Sequence, residues 1–203
     1  MDNIKSLVNQ TTQSISSTGT QRKQWPHLRQ KSESLKKSHS DLGSFCKTFN
    51  PSLQQTAADN VDRAIFGTAP MLCTLDAAYG EGSAVTWLIP QLYNLCASVG
   101  VKVKLDDSQL TQLAQMIRNE FGYLKATEVM LFVWRFKAGC YGELYGSVDP
   151  IRIMRALRGK FSDERANHID LHEKMERDME RRKWAETAAT PEQIEAIKKK
   201  FNK

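Results

Sequence analysis

Arg152, Arg155 and Arg158 recur at every third position, and cationic side chains at that spacing suit a run of phosphates. On a helix each step of three drifts by only about 60°, so the three guanidinium groups share one broad face. Lys160 and Arg165 extend the positive charge. Each phosphate such a face neutralises adds affinity that falls with salt. Cations near a helix start run against the helix dipole, which sets them apart from ordinary solubilising charge. The plain counterpart is a solvated face paired with Asp163 or Glu164.

The stretch before these arginines is the most distinctive in the chain: Gly139-Cys-Tyr-Gly-Glu-Leu-Tyr-Gly-Ser-Val-Asp-Pro150. Its three glycines suit positive φ or close backbone approach, and Tyr141 and Tyr145 offer ring faces with polar tips. Phosphates could meet backbone N–H groups here, and bases could stack on the tyrosines. No Gly-Lys-Ser/Thr follows, so it is not a P-loop, and no strand leads in as a dinucleotide fingerprint requires. A structural helix-to-helix connection is the competing reading.

Other chemistry is sparse. His168 and His172 stand four apart, yet the pattern is not His-Glu-x-x-His and no third ligand suggests itself, so no metal is expected. Cys46, Cys73, Cys96 and Cys140 lie far apart among apolar or aromatic neighbours and read as buried, reduced thiols of a cytoplasmic protein. There is no Gly-x-Ser-x-Gly elbow and no recognisable Cys/His arrangement. The expectation is a protein that is not an enzyme and uses no cofactor.

The elements that must position the basic face are helical. At the centre is Val129–Phe136, where apolar residues point to every side of a helix spanning about 127–138, which therefore has to be buried. Before it comes an amphipathic helix with Leu110, Leu113, Ala114, Ile117 and Phe121 on one face, opened by an Asp106-Asp-Ser-Gln109 capping box. Earlier helices are expected at about 52–66, from Pro70, and over 83–98, the last with a kink at Pro90. Asp149-Pro150 starts a helix running to about Lys183, with Gly159 a soft point in it. Val101–Leu105 reads as an extended connector. The fold expected is all-α: a compact helical domain over 41–165, a disordered basic tail over 1–40 and an extended helical arm over 166–203. Trp25 in the tail, Met175 and Met179 on the arm, and Ile194, Ile197 and Phe201 on a short terminal helix are candidate partner contacts.

Bulk composition agrees with this outline. The chain is 40% hydrophobic and 26% charged, as soluble globular domains are. Its 29 Lys+Arg against 23 Asp+Glu give a net charge of +6, a moderate basic balance that suits nucleic acid. The first twenty residues lack the pattern of a signal peptide, and no apolar run spans a bilayer, so no membrane association is expected.

The run Gln109-Leu-x-x-Leu-Ala-x-x-Ile117, Tyr123-Leu-Lys125, Phe136-Lys-x-Gly-x-Tyr-Gly142, Tyr145-Gly-Ser-Val-Asp-Pro150, Ile153, Ala156-Leu-Arg158 and Phe161…Arg165 resembles an uncharacterised family of small helical proteins from Bacteroidetes genomes, phages and mobile elements. The resemblance covers about residues 55–170 and implies no catalytic residues. In size and style the chain is also similar to small phage proteins that load or inhibit replicative helicases.

Two functions of different class follow. One is a non-enzymatic, nucleic-acid-associated or replication-accessory protein that contacts phosphate through Arg152, Arg155, Arg158, Lys160 and Arg165, with Tyr141 and Tyr145 alongside. The other is a protein–protein interaction or assembly module whose C-terminal arm docks on a partner, such as a replication protein, or self-associates.

Overall fold

The computed structural model describes residues 26–100, 103–142 and 147–187. They form an all-α fold whose only β pairings are two isolated bridges, Met71 with Lys125 and Val103 with Ser147. The chain divides into two units, Met1–Phe161 and Ser162–Lys203.

In the first unit the helices are α1 (Pro26–Ser38), α2 (Leu42–Thr48), α3 (Gln54–Asp59), α4 (Val61–Phe66), α5 (Leu72–Tyr79), α6 (Ser83–Ser98), α7 (Asp107–Phe121), α8 (Ala126–Lys137) and α9 (Pro150–Ala156). A π-helical turn, Leu157–Phe161, follows α9. The helix α8 is buried as its sequence requires: Val129, Met130, Leu131, Phe132, Val133 and Phe136 all lie in the core. It packs against α3, α4 and α6. Trp134 alone among its large apolar residues is half-buried, with the Lys137 ammonium 5.0 Å from its ring centroid. Trp87, Leu88 and Ile89 on α6 are equally deep. That helix runs unbroken through Pro90, so the expected kink does not divide it.

Several starts and stops follow from single residues. Asp106 and Gln109 form the reciprocal capping box of α7. Asn60, at non-helical φ −137° and ψ 89°, splits the helix expected over 52–66, and its side chain accepts the Arg63 N–H to start α4. The first N–H groups of α5 have no cap of their own; Leu72 and Cys73 donate to Leu124 O and Gly122 O, while Ala126 at the start of α8 donates back to Pro70 O. The two helix starts thus satisfy each other, as buried backbone must. Asp76 ties α5, α6 and α7 together. One carboxylate oxygen takes the Ala84 N–H at 2.9 Å, the other the Arg118 Nε at 2.6 Å.

Of the tail expected to lack order over 1–40, residues 1–25 lie outside the described residues and the remainder needs correction. Pro26–Ser38 is a helix packed against α5. Its few apolar residues concentrate on one face, where Leu28 is half-buried and Leu35 buried. Ser32 between them is buried at little cost because its hydroxyl donates to Arg29 O at 2.7 Å. Tyr79 then donates its hydroxyl to His39 O at 2.7 Å, and His39 meets the stacked rings of Phe45 and Phe49 edge-on.

In the second unit, α10 (Ser162–Thr187) carries no buried residue. The helix expected from Asp149 to about Lys183 is therefore three segments, α9, the π turn and α10. Among the described residues no helix is long and apolar enough to cross a membrane.

Candidate nucleic-acid interface

The loop that leads toward the basic helix begins with a helix stop. Gly139, at φ +80°, closes α8 in a Schellman arrangement: its N–H donates to Phe136 O and the next N–H, of Cys140, to Arg135 O. Gly142, at φ +101°, makes a second turn, donating to Gly139 O. Between them Tyr141 is laid back on the core, stacked on Phe132 at 5.5 Å and tilted against Phe136 at 6.2 Å. The ring face turned to Phe132 is closed to a base. On the far side of the loop Val148 donates to Val103 O at 3.0 Å, fixing the chain as it approaches α9. Asp149 caps that helix by accepting the Ile151 N–H at 2.8 Å.

Ile153, Met154, Ala156, Leu157 and Phe161 bury the inner side of α9 and the π turn, with Phe161 edge-on to Phe132 at 5.4 Å. The outer side presents Arg152, Arg155, Arg158 and Lys160, all exposed. Their side chains do not act as one row. Arg152, Arg155 and Lys160 line a shallow pocket of about 190 Å³ with Tyr141, Phe136 and Gly142. Arg158 is not among its lining residues. It turns to α7, where its Nε and Nη2 donate to the two carboxylate oxygens of Glu120, each at 2.5 Å. This fork-to-fork pair holds the Glu120 carboxyl below its ordinary value, chiefly through the hydrogen bond from Arg158, and raises Arg158 for the same reason.

The π turn accounts for the sorting. An α-helix would keep 152, 155 and 158 together, whereas a π turn closes on the fifth residue and brings Lys160 towards the side of Arg155. The spacing of arginines in the sequence gives no sign of this, and Glu120, 38 positions away, carries no local signal either.

The remaining expected site residues fall elsewhere. Arg165 is half-buried on α10, in the second unit, which also carries Met175 and Met179, both exposed. Tyr145, Trp25, Ile194, Ile197 and Phe201 lie outside the described residues. His172 on α10 approaches Glu176 at 3.7 Å, and no group of three His, Cys, Asp or Glu side chains gathers anywhere among the described residues. The four cysteines are free thiols, but of the four expected to be buried only Cys96 is: Cys46 and Cys73 are half-buried, and Cys140 is exposed on the turn that ends α8. Glu128, an acid in an apolar helix, is fully buried and was not singled out by sequence; its carboxylate accepts the Lys125 N–H at 2.7 Å and so caps α8.

Among known proteins, residues 104–199 match the model of a family of unknown function, DUF6633. The match takes in α7 to α10, the stretch that holds the pocket and the Arg158–Glu120 pair. No curated protein and no solved structure matches the chain.

Proposed function

We propose that the chain is a non-enzymatic, nucleic-acid-associated accessory protein of a phage or mobile element, acting in replication in the cytoplasm and holding phosphate through Arg152, Arg155 and Lys160. The observation that carries this reading is the pocket in which those three cations meet with Tyr141, with no carboxylate lining the wall among the described residues. Three positive side chains held in one concave patch lower the potential for an incoming phosphate more than the same charges scattered would. Tyr141, wedged on Phe132, gives the pocket a rigid polar edge. Contacts of this kind fix a nucleic acid in place without reading its sequence.

The test is fluorescence anisotropy with labelled single- and double-stranded DNA across a salt series. Wild type should bind with an affinity that falls steeply with salt, and the Arg152/Arg155/Lys160→Ala triple variant should show a shallower slope. Absence of binding at low salt would end the proposal.

A second reading, an assembly module, draws on α10. Leu171, Met175 and Met179 are each more than half exposed and four apart, so they form one apolar stripe on an otherwise charged helix. Light scattering on wild type and on Met175→Glu/Met179→Glu would show whether that stripe holds copies of the chain together.

A further inference from the structure

A cavity larger than the one beside the arginines lies elsewhere in the first unit. A cleft of about 640 Å³ opens where α1 meets the segment joining α4 to α5, within the size range of small-molecule sites. Among the described residues its lining contains no aspartate or glutamate. Lys31 and Arg63, both exposed, stand on its walls, and Ser34 and Thr68 add hydroxyls near them. Leu35, Phe49 and Met71 supply apolar surface.

One wall is rigidly built. Lys125 donates to Ile65 O at 2.6 Å and to Gly67 O at 2.7 Å, and Thr127 donates to Ala64 O at 2.7 Å, so the chain over 64–67 is tied to α8. The segment after it is pinned by the Met71–Lys125 bridge and by the bond from Ala126 to Pro70 O. A cleft with walls held in this way does not have to be ordered by its ligand.

The floor holds a polar group with nothing to bond. Thr74 is 2% exposed, lines the cleft, and its Oγ1 has no hydrogen-bond partner. A helical threonine ordinarily turns its hydroxyl to the carbonyl four residues back. Here no such bond forms, and Pro70 O instead faces the start of α8, where it accepts the Ala126 N–H at 2.9 Å. A buried hydroxyl left unbonded is costly, and a ligand atom that bonds it recovers that cost.

We propose that this cleft is a binding site for an organic phosphate of nucleotide size. Arg63 and Lys31 meet the phosphate, Thr74 Oγ1 bonds a polar atom of the ligand at the floor, and Phe49 with Met71 covers its flat apolar body. Cations without a lining carboxylate select an anion. Phe49, already stacked on Phe45 at 4.6 Å, is a fixed ring for a heterocycle to lie against. The proposal is independent of the phosphate face at Arg152, Arg155 and Lys160.

The test is isothermal titration calorimetry on the full chain with AMP, adenosine, inorganic phosphate and benzoate. AMP should bind, with adenosine, which lacks the charge-assisted phosphate contacts, and inorganic phosphate, which lacks the apolar body, each weaker by about tenfold or more. Arg63→Ala, a change at an exposed position, should weaken AMP by about tenfold. Thr74→Val keeps the side-chain shape and removes the hydroxyl, and should weaken AMP by about fivefold. The Arg152/Arg155/Lys160→Ala variant should bind AMP as wild type does. No heat with AMP, benzoate as tight as AMP, or AMP affinity unmoved by Arg63→Ala would each overturn the assignment. So would loss of AMP binding in the triple variant with none in Arg63→Ala, which would move the ligand to the other face.

Discussion

If Arg158 is committed to Glu120, then removing Glu120 should strengthen phosphate binding and removing Arg158 should barely weaken it. The guanidinium gives Nε and Nη2 to both oxygens of one carboxylate, so that two-point fork is occupied and its charge is offset by Glu120. Glu120→Ala returns a cation to the outer side of α9 and removes one negative charge beside it. For duplex DNA one added phosphate contact steepens the slope of log Kobs against log salt by about 0.9. Over a fourfold rise in salt the variant should therefore lose about 3.5 times as much affinity as wild type does. Arg158→Ala alone should leave the wild-type slope in place, and Glu120→Ala/Arg158→Ala should return to it. Side chains of the pair are 57% and 38% exposed, so neither change should cost much stability, and circular dichroism checks that both variants stay folded.

The assay is the same anisotropy titration, run at several salt concentrations for the four members of the cycle. An unchanged slope in Glu120→Ala, or a slope flattened by about 0.9 in Arg158→Ala alone, would refute the reasoning. The pH dependence has a definite sign. The Glu120 carboxyl is held below its ordinary 4.5, so the pair is intact above that value and is lost only as pH falls through the lower folded-state value. The wild-type contribution of Arg158 should thus be the same at pH 6 and pH 8.

Three further changes probe the scaffold. Asp76→Ala strands the Ala84 N–H and the part-buried Arg118 guanidinium together, and should lower stability by about 2–4 kcal/mol in urea unfolding; a cost below 1 kcal/mol would mean water replaces both bonds. Gly159→Ala should stabilise by about 0.4–1 kcal/mol, because an added Cβ meets nothing within 4 Å, and a destabilisation would show that the π turn needs glycine. Burial pushes the Cys46 thiol up to about 11, whereas Cys140 is exposed, so iodoacetamide at pH 8 should modify Cys140 well before Cys46 by peptide mass spectrometry.

What was legible in the sequence was whatever a few neighbouring residues decide. The burial of α8 follows from apolar side chains on all its sides, the start of α7 from Asp106 and Gln109, and the stop of α8 from Gly139, the residue type that reaches positive φ without strain. What was not legible depends on partners far along the chain. The helix α1 is hidden in a polar, basic composition because only Leu28 and Leu35 face inward, and its packing partner α5 begins more than thirty residues later. Nothing in the residues around Glu128 announces its burial, yet its contact with the Lys125 N–H lets a fully buried carboxylate serve as a cap. The Arg158–Glu120 pair joins two helices and no local pattern announces it.

The basic face shows how far these two kinds of information diverge at one site. Read as an α-helix, Arg152, Arg155 and Arg158 form a row and Lys160 trails it. In the fold, the π turn starts at Leu157 and ends at Phe161, each 1% exposed, so both of its ends are anchored in the core. Gly159 is not its steric cause, since a side chain there would meet open space. The apolar core therefore decides which cations face the pocket: Lys160 joins Arg152 and Arg155, and Arg158 is handed to Glu120. A substitution that shrinks Phe161 should then alter phosphate binding without touching any charged residue, by releasing the register that the π turn imposes.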